Sequence, residues 1–84
     1  MYGLISQIRR SVKSISLNIA EGSGSNSEKE FRRFLEIALR SDYEVMTCLE
    51  IALRLNYCEG KDYDRLMIEA DEIAAMISGF SKTL

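Results

Sequence analysis

Apolar residues recur every three or four positions over three long segments of this 84-residue chain, which is the spacing of one face of an α-helix. The pattern predicts helices over about residues 4–21, 28–55 and 62–82. The apolar stripe of the first helix consists of Leu4, Ile8, Val12, Ile15 and Ile19. Because the chain contains no proline, no helix is interrupted by one. We therefore expect an all-α protein: an antiparallel up-and-down helical bundle that forms a single domain over residues 1–84.

Two short polar segments separate the predicted helices. The first contains Gly22 and Gly24, which we expect to end the first helix because glycine readily adopts positive φ. Ser27 and the glutamate three residues later form the pattern of a capping box at the start of the second helix. The second segment reads NYCEGK, and its Gly60 is the expected flexible point. The carboxylate of Asp62 is the expected cap of the third helix.

The second helix is apolar over so much of its circumference that two partner helices of the same chain can cover only part of it. Asp42 does not fit this surface, since its helical angle places it among Ala38, Val45 and Leu49. A buried carboxylate needs a partner, or its pKa rises and it becomes neutral. We therefore expect self-association, with Asp42 at a junction between subunits that a neighbour's cation can reach. Leu17, an apolar residue on the outer side of the first helix, is a second expected interface residue.

Basic residues cluster on the outer side of the first helix and near the start of the second. Arg9, Arg10 and Lys13 form either a solvated face or a patch that contacts the phosphates of a nucleic acid. Arg32 and Arg33 are more simply interpreted as surface residues, because their helix carries opposite charges at i, i+4 along its polar face. These pairs are Arg32–Glu36, Glu36–Arg40, Arg40–Glu44 and Glu50–Arg54.

The net charge of −2 is distributed unevenly along the chain. Residues 1–40 hold seven basic and four acidic side chains, whereas residues 41–84 hold four basic and nine acidic ones. Such polarity can steer a polyanion to one end or help subunits dock head to tail. The acidic total by itself argues against nucleic-acid binding.

The absence of histidine excludes the common catalytic triads, the usual zinc patterns and the Glu-x-x-His sites of di-metal bundles. We expect no catalysis, no cofactor, no metal and no small-molecule substrate. Cys48 and Cys58 could form a disulfide, but two reduced thiols are the favoured interpretation for a cytosolic protein. With no apparent signal peptide and no apolar run long enough to span a bilayer, we expect a cytoplasmic protein without membrane contact.

The segment from Tyr2 to Val45 resembles the 23S rRNA intervening-sequence protein family, which is also called the four-helix bundle protein family. This family is related to the accessory variability determinant of diversity-generating retroelements. The resemblance rests on Tyr2-Gly3-Leu4, Gln7-Ile8-Arg9-Arg10, Ser14-Ile15, Asn18-Ile19-Ala20-Glu21-Gly22, Glu30-Phe31, Phe34-Leu35, Ala38, and Ser41 with Glu44. It implies a homopentameric ring of antiparallel four-helix bundles without catalysis. For some relatives it also implies RNA or DNA binding through basic surface, at positions that correspond to Arg9, Arg10, Arg32 and Arg33.

The chain departs from the family pattern in three ways. Members usually have another helix before the YGL motif, so this chain is either a fragment or a member without that helix, in which case a three-helix unit exposes a groove. Ser25 stands where a basic residue is common, and Arg40 and Asp42 stand where small or apolar residues are usual.

Two functions from different classes remain open at this stage. The favoured hypothesis is a non-enzymatic oligomeric helical protein, encoded in or related to rRNA intervening sequences, that binds nucleic acid through its basic surface. The alternative is a protein–protein interaction module with an apolar helix groove and no nucleic-acid binding. A structural remnant of a mobile element without a specific ligand is a third possibility.

Overall fold

The structure of the protein is a computed structural model that describes residues 2–84. These residues form three α-helices in chain order: α1 (Tyr2–Ser23), α2 (Glu28–Arg54) and α3 (Gly60–Thr83). No strand occurs in residues 2–84, so the prediction of an all-helical protein is confirmed. Each helix begins and ends within two residues of the expected position.

The corner between α1 and α2 is closed by a capped helix start. Ser27 has extended backbone angles, and its Oγ accepts a hydrogen bond of 3.1 Å from the Glu30 backbone N–H. The carboxylate of Glu30 does not complete the expected capping box, since it accepts a hydrogen bond of 2.8 Å from Arg33 Nε. Glu28 and Glu30 lie in the first turn, where negative charge is stabilised by the helix dipole.

Gly22 serves a different purpose from the one expected. α1 continues through it to Ser23, and no glycine within residues 2–84 has a positive φ. A Cβ atom at Gly22 would lie 2.8 Å from both Phe31 Cδ1 and Phe34 Cβ. The prediction that Gly22 and Gly24 end the helix through positive φ is therefore wrong, because Gly22 is needed for the close approach of α2 and not for its backbone freedom.

The connection from α2 to α3 also differs from the expectation. The left-handed residue is Asn56, with φ of 60°, and the backbone bonds Asn56 N–H to Leu53 O and Tyr57 N–H to Ala52 O form a Schellman motif. Gly60 is the first residue of α3 and has no positive φ. The prediction that Asp62 caps α3 is wrong, since Glu59 occupies the N-cap position and forms no side-chain cap bond.

The three helices form a thin layer with α2 in the middle. α2 packs against both α1 and α3, whose backbones do not approach each other, and the layer measures 44 × 22 × 12 Å. The main cluster of buried apolar residues contains one residue from each outer helix and two from α2. These residues are Ile15, Leu35, Ala38 and Ile77. The rings of Phe31 and Phe80 lie beside each other in a tilted arrangement, with a centroid distance of 5.4 Å.

The contact between α1 and α2 is partly polar and fixes their register. Ser11 Oγ donates a hydrogen bond of 3.0 Å to Glu44 Oε2, and the hydroxyls of Ser14 and Ser41 share one of 2.8 Å. Ser11 is buried, whereas Val12, expected in the core stripe, is 48% exposed. The helix is therefore rotated relative to the expectation: a flank of small polar residues meets α2, and part of the apolar stripe remains uncovered.

Only part of the expected charge pairing on α2 is present. Arg40 pairs with Glu36 at 3.8 Å, and Arg54 pairs with Glu50 at 3.3 Å. The expected Arg32–Glu36 and Arg40–Glu44 pairs are not formed within the described part of the chain. The carboxylate of Glu44 is instead engaged by α1, which removes it from the surface network.

Candidate functional site: an apolar groove and a basic helix face

An open groove runs between α1 and α3, with α2 along its floor. Its cavity has a volume of about 280 Å³ and is lined mainly by apolar side chains. The lining residues are Ile8, Val12, Ile15 and Ser16 of α1, Asp42, Val45 and Leu49 of α2, and Leu66, Glu69, Ala70 and Ile73 of α3. The groove exists because the backbones of α1 and α3 each approach α2 but not each other, and no further helix of residues 2–84 covers the space between them.

Asp42 lies on the floor of this groove and is only 1% exposed. Its Oδ2 is buried and has no hydrogen-bond partner within residues 2–84. Burial, and secondarily the nearby Asp71 carboxylate, raises the pKa of the Asp42 carboxyl from 3.8 to about 6. At neutral pH most molecules therefore carry an uncompensated negative charge beneath an apolar surface, which is an unfavourable arrangement in the free protein.

A second candidate site, the basic face, consists of Arg9, Arg10 and Lys13 on the outer side of α1. All three side chains are exposed, and they border a shallow depression that also contains Tyr2 and Leu17. Arg10 Nη1 donates a hydrogen bond of 3.0 Å to the side chain of its neighbour Gln7. Among the described residues, none of the three cations forms an ion pair with a carboxylate. This face therefore presents three unneutralised positive charges within five residues of helix.

Arg32 and Arg33, which the family resemblance adds to the candidate nucleic-acid-binding residues, lie away from the basic face. The Ser14–Ser41 contact sets the antiparallel register and places Arg33 level with Gly22, about 20 Å along the layer from Arg9 at 1.5 Å per residue. Arg33 pairs with Glu30, and its guanidinium stacks 4.7 Å from the centre of a phenylalanine ring. Arg32 is half-buried beside a recess between α2 and α3. The structure thus brings together three of the five predicted basic residues.

The two predicted interface residues lie on different surfaces. Leu17 is 64% exposed at the edge of the basic face. Asp42 is in the groove. The sequence interpretation missed most of the groove wall, especially Leu66 and Glu69 of α3. The misfit of Asp42 on the apolar side of α2 was the signal that pointed towards this site.

Other chemistry is limited in the described part of the chain. Cys48 is buried and Cys58 is half-buried, and both are free thiols. Burial, and to a lesser degree Glu44, raises the pKa of the Cys48 thiol. Within residues 2–84 no three or more cysteine, aspartate or glutamate side chains are grouped so that they could hold a metal ion. None of the helices in this part has the length and apolar character of a membrane span.

Comparison with known proteins identifies a family and a solved structure to which most of the chain is similar. Residues 1–79 match the profile of the 23S rRNA-intervening sequence protein. A 1.70 Å crystal structure of a protein of unknown function, from the S23 ribosomal protein family of Bacteroides thetaiotaomicron, superimposes with a TM-score of 0.90 at 30% identity. The superposition covers 94% of this chain and 73% of that one. No curated protein is significantly similar to the chain.

Proposed function

Because the chain belongs to the 23S rRNA-intervening sequence protein family, we propose that it is a non-enzymatic, oligomeric helical protein that binds RNA or DNA through the basic face of α1. The observation that carries this proposal is the exposure of Arg9, Arg10 and Lys13 without an acidic partner in the described chain. Phosphate binding by such residues releases condensed counterions and requires no specific base contact.

The acidic character of α3 favours binding of a nucleic acid on the α1 side of the protein. Asp71 and Glu72 are exposed on α3, which packs against α2 and whose backbone does not approach α1. A polyanion is therefore repelled from α3 and attracted to α1, so that the basic face is the side that meets it.

A single patch of three cations binds weakly, and several copies acting together raise the avidity. A physical reason for assembly is the amount of apolar surface left open, since Leu17 is 64% exposed and the groove between α1 and α3 is uncovered within residues 2–84. The family resemblance implies a pentamer. A homo-oligomer that presents one basic face per subunit is therefore part of the proposal.

Fluorescence anisotropy with labelled RNA and DNA oligonucleotides, measured between about 50 and 200 mM salt, tests this function. We expect steep weakening with salt, and we expect the double variant Arg9→Ala/Arg10→Ala to bind more weakly and to reduce the magnitude of the salt slope by about two. The matched control is Arg40→Ala/Arg54→Ala, which removes two arginines already paired on α2. Equal affinities of the two double variants would reject the basic face as the binding site.

The groove supports a second candidate function, that of a protein–protein interaction module. An apolar channel between two helices is the kind of surface that accepts an amphipathic partner helix. The two functions separate by their salt dependence, because apolar docking persists at salt concentrations that abolish phosphate binding. Binding of a protein partner that survives high salt, together with no nucleic-acid binding at low salt, would favour this alternative.

A further inference from the structure

The recess between α2 and α3 brings together hydrogen-bond donors from two helices, and it shares no residue with the groove or the basic face. It has a volume of about 430 Å³ and is lined by Arg32 and Glu36 of α2, by Ser78, Ser81 and Lys82 of α3, and by three leucine side chains. The polar residues of α3 are spaced i, i+3 and i+4, so they share one side of that helix. Two cations and two hydroxyls therefore border a single concave space.

The two cations of the recess are not neutralised within the described part of the chain. Arg32 is half-buried and forms no ion pair with Glu36, whose carboxylate lies 3.8 Å from the guanidinium of Arg40. Lys82 is exposed and has no acidic partner within residues 2–84. A cation in the last turn of α3 complements the helix dipole, which is sufficient reason for Lys82 by itself. It gives no reason for Arg32, which belongs to another helix and lies half-buried beside leucine side chains.

The two serines of the recess keep their hydroxyls available. Elsewhere in the helices, Thr83 donates its hydroxyl to the backbone carbonyl three residues earlier at 2.7 Å, and Ser41 donates to the carbonyl four residues earlier at 3.1 Å. Such bonds are the usual arrangement for hydroxyls within a helix. Ser78 and Ser81 form no such bond with any described residue, and both are half-buried. Their O–H groups can therefore donate to a ligand in the recess.

We propose that this recess binds a phosphate group. The planar guanidinium of Arg32 donates to two phosphate oxygens at once, and the ammonium of Lys82 supplies a second positive charge. The hydroxyls of Ser78 and Ser81 donate to the remaining oxygens. The leucine side chains around these donors lower the local dielectric, which strengthens each charged hydrogen bond. A small phosphorylated molecule and the backbone of a nucleic acid are two sources of the same group.

Titration of the ¹⁵N-labelled protein with inorganic phosphate, followed by NMR and compared with sodium chloride at equal ionic strength, tests the proposal. We expect saturable shifts of the Arg32 Nε–H signal and of the backbone amides at the C-terminal end of α3, with a dissociation constant of about 1–10 mM. Chloride should give no saturation. Arg32→Gln should weaken phosphate binding at least about tenfold. The matched control is Arg33→Gln, which removes the same charge from an arginine already paired with Glu30 and should leave the affinity unchanged.

The source of the phosphate group is determined by fluorescence anisotropy with labelled oligonucleotides. If Arg32→Gln binds an oligonucleotide more weakly than Arg33→Gln does, the recess takes a phosphate of the nucleic-acid backbone. If the two variants bind it equally while only Arg32→Gln loses inorganic phosphate, the recess takes a small phosphorylated molecule. Neither result depends on Arg9 and Arg10, which lie outside the recess, so failure of the basic face as a binding site leaves this test intact.

Two results would overturn the phosphate site. The first is a wild-type protein whose signals do not saturate with phosphate or respond equally to chloride, and this comparison needs no variant. The second is an equal loss of phosphate affinity in Arg32→Gln and Arg33→Gln, which would indicate general attraction to positive charge. If Arg32→Gln does not fold, Lys82→Gln at an exposed position repeats the test, with an expected loss of at least about threefold and no loss as the contradicting result.

Discussion

Replacing Asp42 by asparagine should stabilise the free protein at neutral pH and leave it unchanged in acid. Asparagine has the shape of the protonated aspartic acid and lacks the charge that burial disfavours. The pKa of Asp42 rises from 3.8 to about 6, which corresponds to an unfavourable contribution on the order of 3 kcal/mol when the carboxylate is ionised, at about 1.4 kcal/mol per unit. For an acid whose pKa is raised on folding, this penalty is absent below pH 3.8 and complete above about pH 6.

Urea unfolding of the wild type and Asp42→Asn at a series of pH values, at one protein concentration, measures this difference. We expect the variant to gain up to about 3 kcal/mol in unfolding free energy above pH 7, with the gain declining through pH 6 and vanishing near pH 4. Asp71→Asn is the control, because that carboxylate is exposed and contributes only the smaller effect on Asp42. A variant that is no more stable than the wild type at pH 7.5, or a difference that does not change with pH, would refute the reasoning.

Three further predictions concern the close contact at Gly22, the cap at Ser27 and the reactivity of the two cysteines. Gly22→Ala should lower the unfolding free energy by about 1–3 kcal/mol, because the new Cβ would meet two phenylalanine side chains of α2. Gly79→Ala is the control: its Cβ would meet no atom within 4 Å, so this substitution within α3 should raise the unfolding free energy by up to about 1 kcal/mol. Ser27→Ala removes the cap of α2 and should cost about 1 kcal/mol, and urea unfolding that shows no loss would contradict the observed cap bond. Iodoacetamide at neutral pH should alkylate Cys58 well before Cys48, since burial both shields the Cys48 thiol and raises its pKa. Mass spectrometry measures the two labelling rates, and equal rates would contradict the buried position of Cys48.

The sequence was sufficient to predict features that depend on local periodicity. The three helices, the cap at Ser27 and the placement of Asp42 on the apolar side of α2 all follow from residue spacing within one segment. That a neighbouring subunit supplies a cation to Asp42 stays a prediction. The membership of the family is confirmed by the match over residues 1–79.

Features that depend on contacts between segments were not predictable in the same way. Gly22 has the sequence signature of a helix end, but its role is set by two phenylalanines of the next helix. Glu44 has a suitable arginine four residues before it, yet it bonds to Ser11 across the helix interface. The periodicity of α1 marks Ile8 and Val12 as apolar but does not identify what covers them, and in this layer they line an open groove.

The most direct test of the proposed function is the mass of the protein in solution, because a weak basic face needs several linked copies to hold a nucleic acid. Size exclusion with light scattering, repeated over a range of protein concentrations, measures it. We expect an oligomer, with five copies of the 9.6 kDa chain giving about 48 kDa if the family resemblance extends to assembly. A mass of 9.6 kDa at every concentration would contradict the proposal of an oligomeric nucleic-acid-binding protein.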